Sequence, residues 1–432
     1  MNILVIGGGG REHAIVMKLA ESARVGKLWC APGNGGISAF AECFPEVKAT
    51  DLDAVEALAE KLSPDLVFVA PDDPLVMGMV DRLEAKGFRT FGPNKAAAII
   101  EGSKAFSKEL MRKYHIPTAE YELFTDSSKA IDYIKSKNTF PIVIKADGLA
   151  LGKGVIIAQS LDEAEAAVKS IMEDKIFGAS GSEIVVEEFL TGPEVSVLSF
   201  TDGKTVVPMV SSMDHKRALD GDEGLNTGGM GTIAPNPCYT PDKQAEALEK
   251  ILIPTVKALA AEGRPFKGCL YFGLMLTPNG VKVIEYNCRF GDPEAQVVLP
   301  LLDTDFIDII EAVGNETLDS LDIKWKSSAA ACVVLASGGY PQKYTTGKVI
   351  SGLDAKYQPV NGGAFVFHAG TRLEGGELLT AGGRVMGVTA VGATLPEALE
   401  KAYDAAAGIT FENAHMRHDI GKKAIDFISS AQ

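Results

Sequence analysis

The chain has 432 residues, and its 42 Lys and Arg against 57 Asp and Glu leave a formal net charge of −15 at pH 7. An acidic surface of this kind repels nucleic-acid phosphates and anionic lipid, which argues against nucleic acid or a membrane as the main partner. The six cysteines form no C-x-x-C pair, and MNILVIGGGG lacks the basic start of a signal peptide. We therefore expect a cytoplasmic protein with reduced thiols.

The first part of the chain alternates apolar runs with amphipathic stretches. The apolar runs predict buried strands at Asn2–Ile6, Lys27–Ala31, Leu66–Ala70 and Phe88–Phe91. The stretches between them predict helices at Arg11–Ala20, Asp51–Leu62 and Leu75–Ala85. This alternation indicates an open parallel sheet, whose ligands lie beyond the carboxyl ends of the strands.

The rest of the chain mixes strands, helices and glycine-rich turns. Strands are predicted at Pro141–Ala146, Val155–Ala158, Ile184–Glu188, Glu194–Phe200, Thr205–Val210, Gly268–Leu276 and Val281–Glu285. Helices are predicted at Ser103–Tyr114, Leu161–Glu173 and Asp242–Ala261. Ser211–Asn236 has no periodicity and is interpreted as a long functional loop. From Ala329 onward the sequence predicts strands and a final helix but offers no obvious chemistry.

A glycine run follows the first predicted strand, at Gly7–Gly10, and leads directly into a helix. Free N–H groups and the positive end of a helix dipole make such a turn an anion site, to which Arg11 adds charge. A dinucleotide is a weaker interpretation, because Glu12 occupies the third glycine position of that fingerprint and the second strand ends without an acidic residue. A small molecule carrying a phosphate fits better. A plain tight turn with helix-capping residues remains the alternative.

The segment from Lys145 to Val155 resembles a Walker A loop but is one residue short, and Gly154 stands where Ser or Thr must hold magnesium. It also runs from strand to strand. Its backbone donors and lysines suit a lid over a triphosphate, with a glycine-rich hairpin and solvated lysines as the alternative. Further on, the strand ending at Glu188 is followed by a break at Gly192-Pro193. The freed backbone groups can read an adenine edge while Glu194 accepts ribose hydroxyls, but a hinge between strands is the favoured interpretation of this segment taken alone.

The most specific run is Glu285-Tyr-Asn-Cys-Arg-Phe-Gly-Asp-Pro-Glu294. Glu285 and Asn287 alternate along a strand, so both side chains point to one face. A carboxylate and an amide oxygen suit Mg²⁺, which takes its other ligands from water and substrate phosphates. Arg289 falls on the same face and can reach phosphoryl charge. A surface strand with an ion pair is the alternative interpretation.

Together these segments resemble the phosphoribosylamine–glycine ligases (glycinamide ribonucleotide synthetases) of the ATP-grasp superfamily. The resemblance is carried, in order, by GGGGREHA, APGN, KADGLALGKGV, VVEEFLTGPEVSV, DHKR with GDEG and NTGGMG, and EYNCRFGDPEAQ. It implies an α/β protein with an N-terminal parallel-sheet substrate domain at 1–102, ATP-grasp nucleotide-binding and catalytic domains at 103–193 and 194–328, and a small C-terminal α/β domain at 329–432. The implied reaction joins glycine and 5-phosphoribosylamine through a glycyl phosphate, with ATP and Mg²⁺ or Mn²⁺.

The resemblance also implies roles for individual residues. The nucleotide would contact Lys104, Lys145, Asp147, Gly148, Gly152, Lys153, Gly154, Glu187, Phe189, Leu190 and Glu194. The metal would be held by Glu285 and Asn287. The substrates would contact Gly9, Gly10, Arg11, Glu12, Asn34, Asp214, Lys216, Gly229, Arg289 and Asp292. The catalytic side chains would be those of Lys145, Asp214, Arg289 and Asp292.

The chain departs from the family pattern in three places. Ala70-Pro71-Asp72 stands where relatives commonly have Gly-Pro-Glu, and Leu219 and Leu225 replace residues that are often Tyr and Pro. The first departure bears on the geometry of the sugar site, and none removes a metal ligand or a phosphate contact. The alternatives are another ATP-grasp carboxylate–amine ligase or carboxylase, or an inactive nucleotide-sensing relative. A monomer is expected, with a weak homodimer as the alternative.

Overall fold

The structure is a computed structural model, and it describes residues 1–149, 154–360 and 363–430. It confirms the predicted α/β class. Within the described residues, no helix is long and apolar enough to cross a membrane.

The N-terminal part is an open parallel sheet, as predicted. Its strands are β1 (Ile3–Gly7), β2 (Leu28–Pro32), β3 (Glu42–Cys43), β4 (Leu66–Val69) and β5 (Thr90–Phe91). Its helices are α1 (Gly10–Ala20), α2 (Leu52–Leu62), α3 (Asp72–Met77), α4 (Met79–Ala85) and α5 (Lys95–Gly102). The strand order is β3-β2-β1-β4-β5, which places the buried β1 at the centre and the glycine turn at its carboxyl end.

One predicted helix of this part, Leu75–Ala85, is wrong as a single element. The structure has α3 and α4 instead, separated at Gly78. Gly78 has φ +97°, a left-handed conformation that ends a helix and that glycine adopts without steric cost. The chain therefore changes direction there and starts a second helix.

The next part is an antiparallel sheet with helices packed against it. Its helices are α6 (Lys104–Lys113), α7 (Ser127–Lys137) and α8 (Leu161–Met172). Its strands are β6 (Tyr121–Phe124), β7 (Ile142–Ala146), β8 (Val155–Ala158) and β9 (Ile184–Glu188), in the order β6-β9-β7-β8. The glycine-rich segment connects the antiparallel pair β7 and β8, which confirms the predicted strand-to-strand connection.

The following part carries the strand with the predicted metal ligands. Its strands are β10 (Glu194–Asp202), β11 (Val206–Pro208), β12 (Met213–Asp214), β13 (Arg217–Leu219), β14 (Glu223–Asn226), β15 (Gly231–Ala234), β16 (Lys267–Thr277) and β17 (Gly280–Asn287). Its helices are α9 (Pro241–Ala247), α10 (Ile253–Ala261), α11 (Ala295–Val298) and α12 (Phe306–Asn315). A sheet of order β11-β10-β16-β17 puts β17 at its edge.

The interpretation of Ser211–Asn236 as a loop without regular structure is wrong. The segment contains β12 to β15, of which β13 and β14 form a separate antiparallel pair. These strands are two to four residues long, too short for an alternating hydrophobic pattern to show in the sequence. The predicted helix Asp242–Ala261 is likewise interrupted, by a π-helical turn at Leu248–Leu252.

The C-terminal part completes a sheet that begins earlier in the chain. Its strands are β18 (Ala329–Ser337), β19 (Ala364–His368), β20 (Thr371–Glu374), β21 (Glu377–Thr380), β22 (Arg384–Gly392) and β23 (Ala414–His415), and its helices are α13 (Leu395–Ala407) and α14 (Lys422–Ser430). The sheet order β12-β15-β18-β22-β19 joins β12 and β15 to these strands. Backbone hydrogen bonds therefore cross the predicted boundary at residue 329, and the four domain divisions stay predictions.

Candidate active site

The glycine turn is held in shape by Glu12 and by the loop that follows β2. The Glu12 carboxylate accepts the Gly9 amide at 2.6 Å. Gly8 lies directly on Gly33, so a Cβ on Gly8 would be 2.4 Å from the Gly33 carbonyl oxygen. The glycines thus permit a close approach of two backbones, and they leave a turn at the N-terminus of α1 that is suited to an anion.

Asn34 acts on this turn from the second loop. Its amide nitrogen donates to the carbonyl oxygens of Gly8 at 2.9 Å and of His368 at 2.7 Å. Its oxygen accepts the amides of Gly36 and Ile37. Both amide hydrogens are engaged within the protein, so a substrate phosphate here would meet the backbone of the loop instead of the Asn34 side chain.

Arg11 connects the glycine turn to the segment after β17. Its Nε donates to Glu12 at 2.6 Å, and its Nη1 donates to the carbonyl oxygen of Phe290 at 3.1 Å. The Arg11 amide also points at the Asp292 carboxylate, with a nitrogen–oxygen distance of 3.4 Å. The predicted phosphate site and the predicted catalytic run therefore meet in one place.

Arg289 lies at the centre of this meeting point. Its Nη2 donates to Asn287 Oδ1 at 3.1 Å and to Glu101 at 2.9 Å. Burial opposes the charge on Arg289, but Glu101 and Asp72 outweigh it and raise its pKa above the ordinary value. The guanidinium is therefore a permanent cation beside the predicted metal ligand.

The predicted metal ligands share one face of β17. Glu285 pairs with Gly273 and Asn287 with Tyr271 on the neighbouring strand. Although burial alone would raise the pKa of Glu285, Lys216 and Lys145 are the first of several cations that lower it. The carboxylate is thus charged at neutral pH, and among the described side chains it has no ion-pair or hydrogen-bond partner.

These donors fit a divalent cation that also takes ligands from a nucleotide. No group of three or more His, Cys, Asp or Glu side chains suitable for a metal occurs in the described part of the chain. A carboxylate and an amide oxygen would leave most coordination positions to phosphate oxygens and water, as Mg²⁺ prefers. Arg289 Nε is buried and lacks a partner among the described residues, which is what a missing phosphate oxygen would leave.

Three lysines, of which Lys108 and Lys145 are buried, lie close to this strand and to Glu187. Lys145 forms an ion pair with Glu187 and donates to the Ile284 carbonyl oxygen at 3.2 Å. Lys108 forms a second ion pair with Glu187, so two ammonium groups share one carboxylate. Lys104 donates to the Gly148 carbonyl oxygen at 2.7 Å. The excess positive charge suits a polyphosphate.

Lys108 was not among the predicted site residues. It follows Lys104 by four residues on α6, so the two lie on the same face of that helix. This four-residue spacing from Lys104 was the sequence feature that could have identified Lys108 as a site residue. Asp147, predicted to contact the nucleotide, accepts hydrogen bonds from Ser103 Oγ at 3.2 Å and from the Ala105 amide at 3.0 Å, which fix the start of α6.

The remaining predicted nucleotide residues are more exposed. Phe189 is 38% exposed and Leu190 is half-buried, just past the end of β9. Glu194 forms an ion pair with Lys216 at 2.9 Å, and this carboxylate is the largest cause of the raised Lys216 pKa. Gly154 closes the hairpin, since its carbonyl oxygen accepts the Ala146 amide at 2.8 Å. Two predicted lid residues, Gly152 and Lys153, lie outside the described residues.

Asp214 and Gly229 lie against each other, and Asp214 lines one wall of a cavity that Glu285 also lines. A Cβ on Gly229 would be 2.7 Å from Asp214 Oδ1 and 2.5 Å from Pro293 Cδ. Burial and the neighbouring Glu294 raise the pKa of Asp214 well above the ordinary value. A small cavity brings Asp214 together with other predicted site residues, namely Glu194, Lys216 and Glu285. Its mixed charges suit a zwitterion such as an amino acid.

Several residues at the site come from places that sequence reasoning did not single out. Gln296, which donates to Asp292 at 2.7 Å, is the last residue of the quoted EYNCRFGDPEAQ motif but was given no role. Arg384 belongs to the C-terminal part and lies 3.5 Å from the Asp292 carboxylate. Glu101 and Arg384 lie outside the motifs, and their sequence separation from them left no local signal.

The three departures from the family pattern lie in different surroundings. Asp72 starts α3; burial alone would raise its pKa, but Arg289 and Arg11 lower it. The shorter carboxylate thus still faces both arginines. Leu219 and Leu225 are 46% and 51% exposed on the β13–β14 pair, away from the ion pairs of the site.

The chain is similar to known proteins over nearly its whole length. It matches the phosphoribosylglycinamide synthetase family in three parts: the N domain at residues 1–101, the ATP-grasp (A) domain at 102–295 and the C domain at 330–423. It is 47% identical over 420 residues to a phosphoribosylamine–glycine ligase of Caldanaerobacter subterraneus, with 97% of this chain and 99% of the relative covered.

Two solved structures have similar folds. A phosphoribosylamine–glycine ligase from Thermotoga maritima superposes with a TM-score of 0.85 at 32% identity, covering 97% of this chain and all of the other. The biotin carboxylase domain of a Hydrogenobacter thermophilus 2-oxoglutarate carboxylase, solved with MgADP and bicarbonate, has a TM-score of 0.73 at 14% identity, covering 96% of this chain and 91% of that one. The second likeness concerns the fold alone.

Proposed function

The chain belongs to the phosphoribosylglycinamide synthetase family, and we propose that it uses ATP to join glycine to 5-phosphoribosylamine, a step of purine synthesis. The products are glycinamide ribonucleotide, ADP and phosphate. The observation that carries the proposal is the hydrogen bond from Arg11 Nη1, at the glycine turn, to the carbonyl oxygen of Phe290, just after β17, at 3.1 Å. This contact supports the proposal because it joins the predicted sugar-phosphate turn to the segment predicted to handle the transferred phosphoryl group.

The first chemical step activates the glycine carboxylate. One carboxylate oxygen forms a bond to the γ-phosphorus, the bond from that phosphorus to the β–γ bridging oxygen breaks, and ADP leaves with the electron pair. Two unit charges 4 Å apart repel by about 4 kcal/mol at an effective dielectric of 20. Arg289 and Lys145 lower this repulsion because both place a positive charge beside β17. Neither side chain forms a covalent bond in this step.

Glu285 and Asn287 would hold Mg²⁺ or Mn²⁺, whose charge when bound lowers the same repulsion between the carboxylate and the triphosphate. The protein supplies the orientation of both ligands. Asn287 is fixed by its hydrogen bond from Arg289, and Glu285 is fixed by its position in the paired strand.

The second step forms the amide. The amine nitrogen of phosphoribosylamine attacks the glycyl carbonyl carbon, the carbon–oxygen bond to phosphate breaks, and the nitrogen loses a proton. Asp214 is placed to accept that proton, and its raised pKa makes it a better base than an exposed carboxylate. Gly229 lies against Asp214 and leaves room for the small glycyl group.

The test is product analysis with ATP, glycine and freshly prepared phosphoribosylamine. We expect glycinamide ribonucleotide, ADP and phosphate in equal amounts, and none when any substrate is omitted. Glycine carrying ¹⁸O in its carboxylate should deliver one ¹⁸O to the released phosphate, as the acyl phosphate requires. ADP release with bicarbonate instead of glycine would indicate a carboxylase. Nucleotide binding without turnover would indicate an inactive relative, and an NAD-induced thermal shift would favour an oxidoreductase.

The expected monomer and the cytoplasmic location stay predictions. Light scattering during size-exclusion chromatography tests the first, with a concentration-dependent mass expected for the weak homodimer.

A further inference from the structure

Arg384 makes a set of contacts that joins three separate segments of the chain. Its Nη1 donates to the carbonyl oxygens of Gly228 and Asp292, both at 2.8 Å, and lies 3.4 Å from that of Gly229. The same nitrogen is 3.5 Å from the Asp292 carboxylate. Arg384 opens β22, and β22 pairs with β18, so a rigid sheet presents the guanidinium to the site.

The groups that Arg384 holds lie next to the proposed base and next to the glycine turn. Gly229 lies against Asp214 and Pro293, and Asp292 lies against the start of α1. Arg384 therefore sits between the wall that carries the proposed base and the turn that carries the sugar-phosphate site. No other side chain in the described part of the chain donates to both segments.

The contact depends on the shape of the guanidinium as well as on its charge. A Cβ on Gly228 would be 3.0 Å from the Arg384 Cζ, so the guanidinium fills the space beside Gly228. The side chain is 20% exposed. Lysine carries the charge but lacks the planar group that fills this space, so it would reproduce only part of these contacts.

A second residue of the C-terminal part contacts the same loop. The Gly228 amide donates to the Tyr340 hydroxyl at 3.1 Å. Gly228 is thus held through its amide by one C-terminal residue and through its carbonyl by another. Two residues of the C-terminal part thus hold the loop before β15, in addition to its own hydrogen bonds through Thr227.

We propose that Arg384 is a positioning residue for amide formation, through which the C-terminal part aligns Asp292 and the 228–229 loop with the incoming amine. This inference rests on the proposed function. Arg384 acts through the groups it holds, so its loss should change the use of phosphoribosylamine and glycine and leave ATP binding intact. A role in stability alone would lower the melting temperature without this selectivity.

The experiment compares Arg384→Met and Arg384→Lys with Arg372→Met. Arg372 is a matched control, because it lies in the same part of the chain and is 45% exposed in a pair with Glu374. For Arg384→Met we expect kcat/KM for phosphoribosylamine to fall by roughly 10- to 100-fold, as misplaced substrates do. The dissociation constant for ATP should stay within about twofold, and Arg384→Lys should recover part of the loss.

A double-mutant cycle with Asp292→Asn tests whether Arg384 acts on amide formation through Asp292. If Arg384 acts by holding Asp292, the double variant should be within about threefold of the worse single variant in kcat/KM. Losses that multiply would overturn the inference, as would unchanged constants in Arg384→Met or an equal loss for ATP and phosphoribosylamine. Should Arg384→Met fail to fold, Arg384→Lys gives the same selectivity test. Absence of product with the unaltered enzyme would instead refute the proposed function.

Discussion

Arg11 and Arg289 donate to the same acceptor, the carbonyl oxygen of Phe290, at 3.1 Å and 3.3 Å. Arg11 lies in the first turn of α1, and Arg289 lies just past the end of β17. Two like charges are tolerated this close because Glu12, Glu101 and Asp72 surround them. We expect the sugar phosphate and the transferring phosphoryl group to lie side by side along these two guanidinium groups.

We expect replacement of Arg11 and replacement of Arg289 to have different kinetic effects. Arg11→Met should raise the KM for phosphoribosylamine by about tenfold or more with little change in that for ATP, because it removes a charge-assisted contact to the substrate phosphate. Arg289→Met should lower kcat by roughly 100-fold, because it acts on the transferring group. Steady-state kinetics with each substrate varied in turn checks both. Arg24→Met, at an exposed pair with Asp308, is the control and should change neither constant.

Glu285 should be required for metal-dependent turnover. Glu285→Gln keeps the size of the side chain but removes the charge that a divalent cation needs, so we expect kcat to fall by roughly 100-fold and the half-saturating Mg²⁺ concentration to rise. A Mg²⁺ titration of ADP release measures both. Glu249→Gln, on an exposed helical position, should behave like the unaltered enzyme. Equal activity of the two variants would contradict the metal assignment.

Lys108 should make nucleotide use depend on pH. Burial lowers the pKa of Lys108 to about 8, although Glu187 opposes the shift. Above that pH Lys108 is neutral, so Glu187 retains Lys145 as its only cation and competes with the phosphates for it. The KM for ATP should therefore rise as pH increases through about 8. In Lys108→Met it should be raised already at pH 7 and lack this pH-dependent step.

The pH dependence of folding stability distinguishes a rise in the KM for ATP from alkaline unfolding. Between about pH 8 and the ordinary lysine value of 10.5 the unfolded chain holds the proton that native Lys108 has lost. Stability contributed by this group thus rises with pH over that interval. We expect the melting temperature not to fall over the pH range in which ATP affinity falls. A parallel fall of both would contradict the assignment of the pH effect to Lys108.

Gly8 should not tolerate a side chain. In Gly8→Ala the new Cβ would meet the Gly33 carbonyl oxygen at 2.4 Å, a backbone atom that cannot rotate away. We expect the variant to lose about 1–3 kcal/mol of stability and to raise the KM for phosphoribosylamine more than that for ATP. Gly314→Ala is the matched control, since nothing lies within 4 Å of its Cβ position. It should be neutral or stabilising by up to about 1 kcal/mol in thermal or urea unfolding.

Sequence by itself determined the features that depend on neighbouring residues. Glu285 and Asn287 share a face because side chains alternate along a strand, and the glycine turn precedes a helix because Gly7–Gly10 separates an apolar run from an amphipathic one. The parallel N-terminal sheet was predictable for the same reason. The short strands of Ser211–Asn236 were not, because pairing with β18 and not local pattern stabilises β15.

Only the tertiary structure decided which distant residues surround the site. Glu101 neutralises Arg289, Lys108 shares Glu187 with Lys145, and Arg384 reaches Asp292 from a strand near the end of the chain. None of these pairings leaves a periodic or motif signal, because each depends on how whole sheets and helices are placed against one another. Ionic and hydrogen-bonding contacts of buried groups are satisfied across space, and chain order does not reveal them.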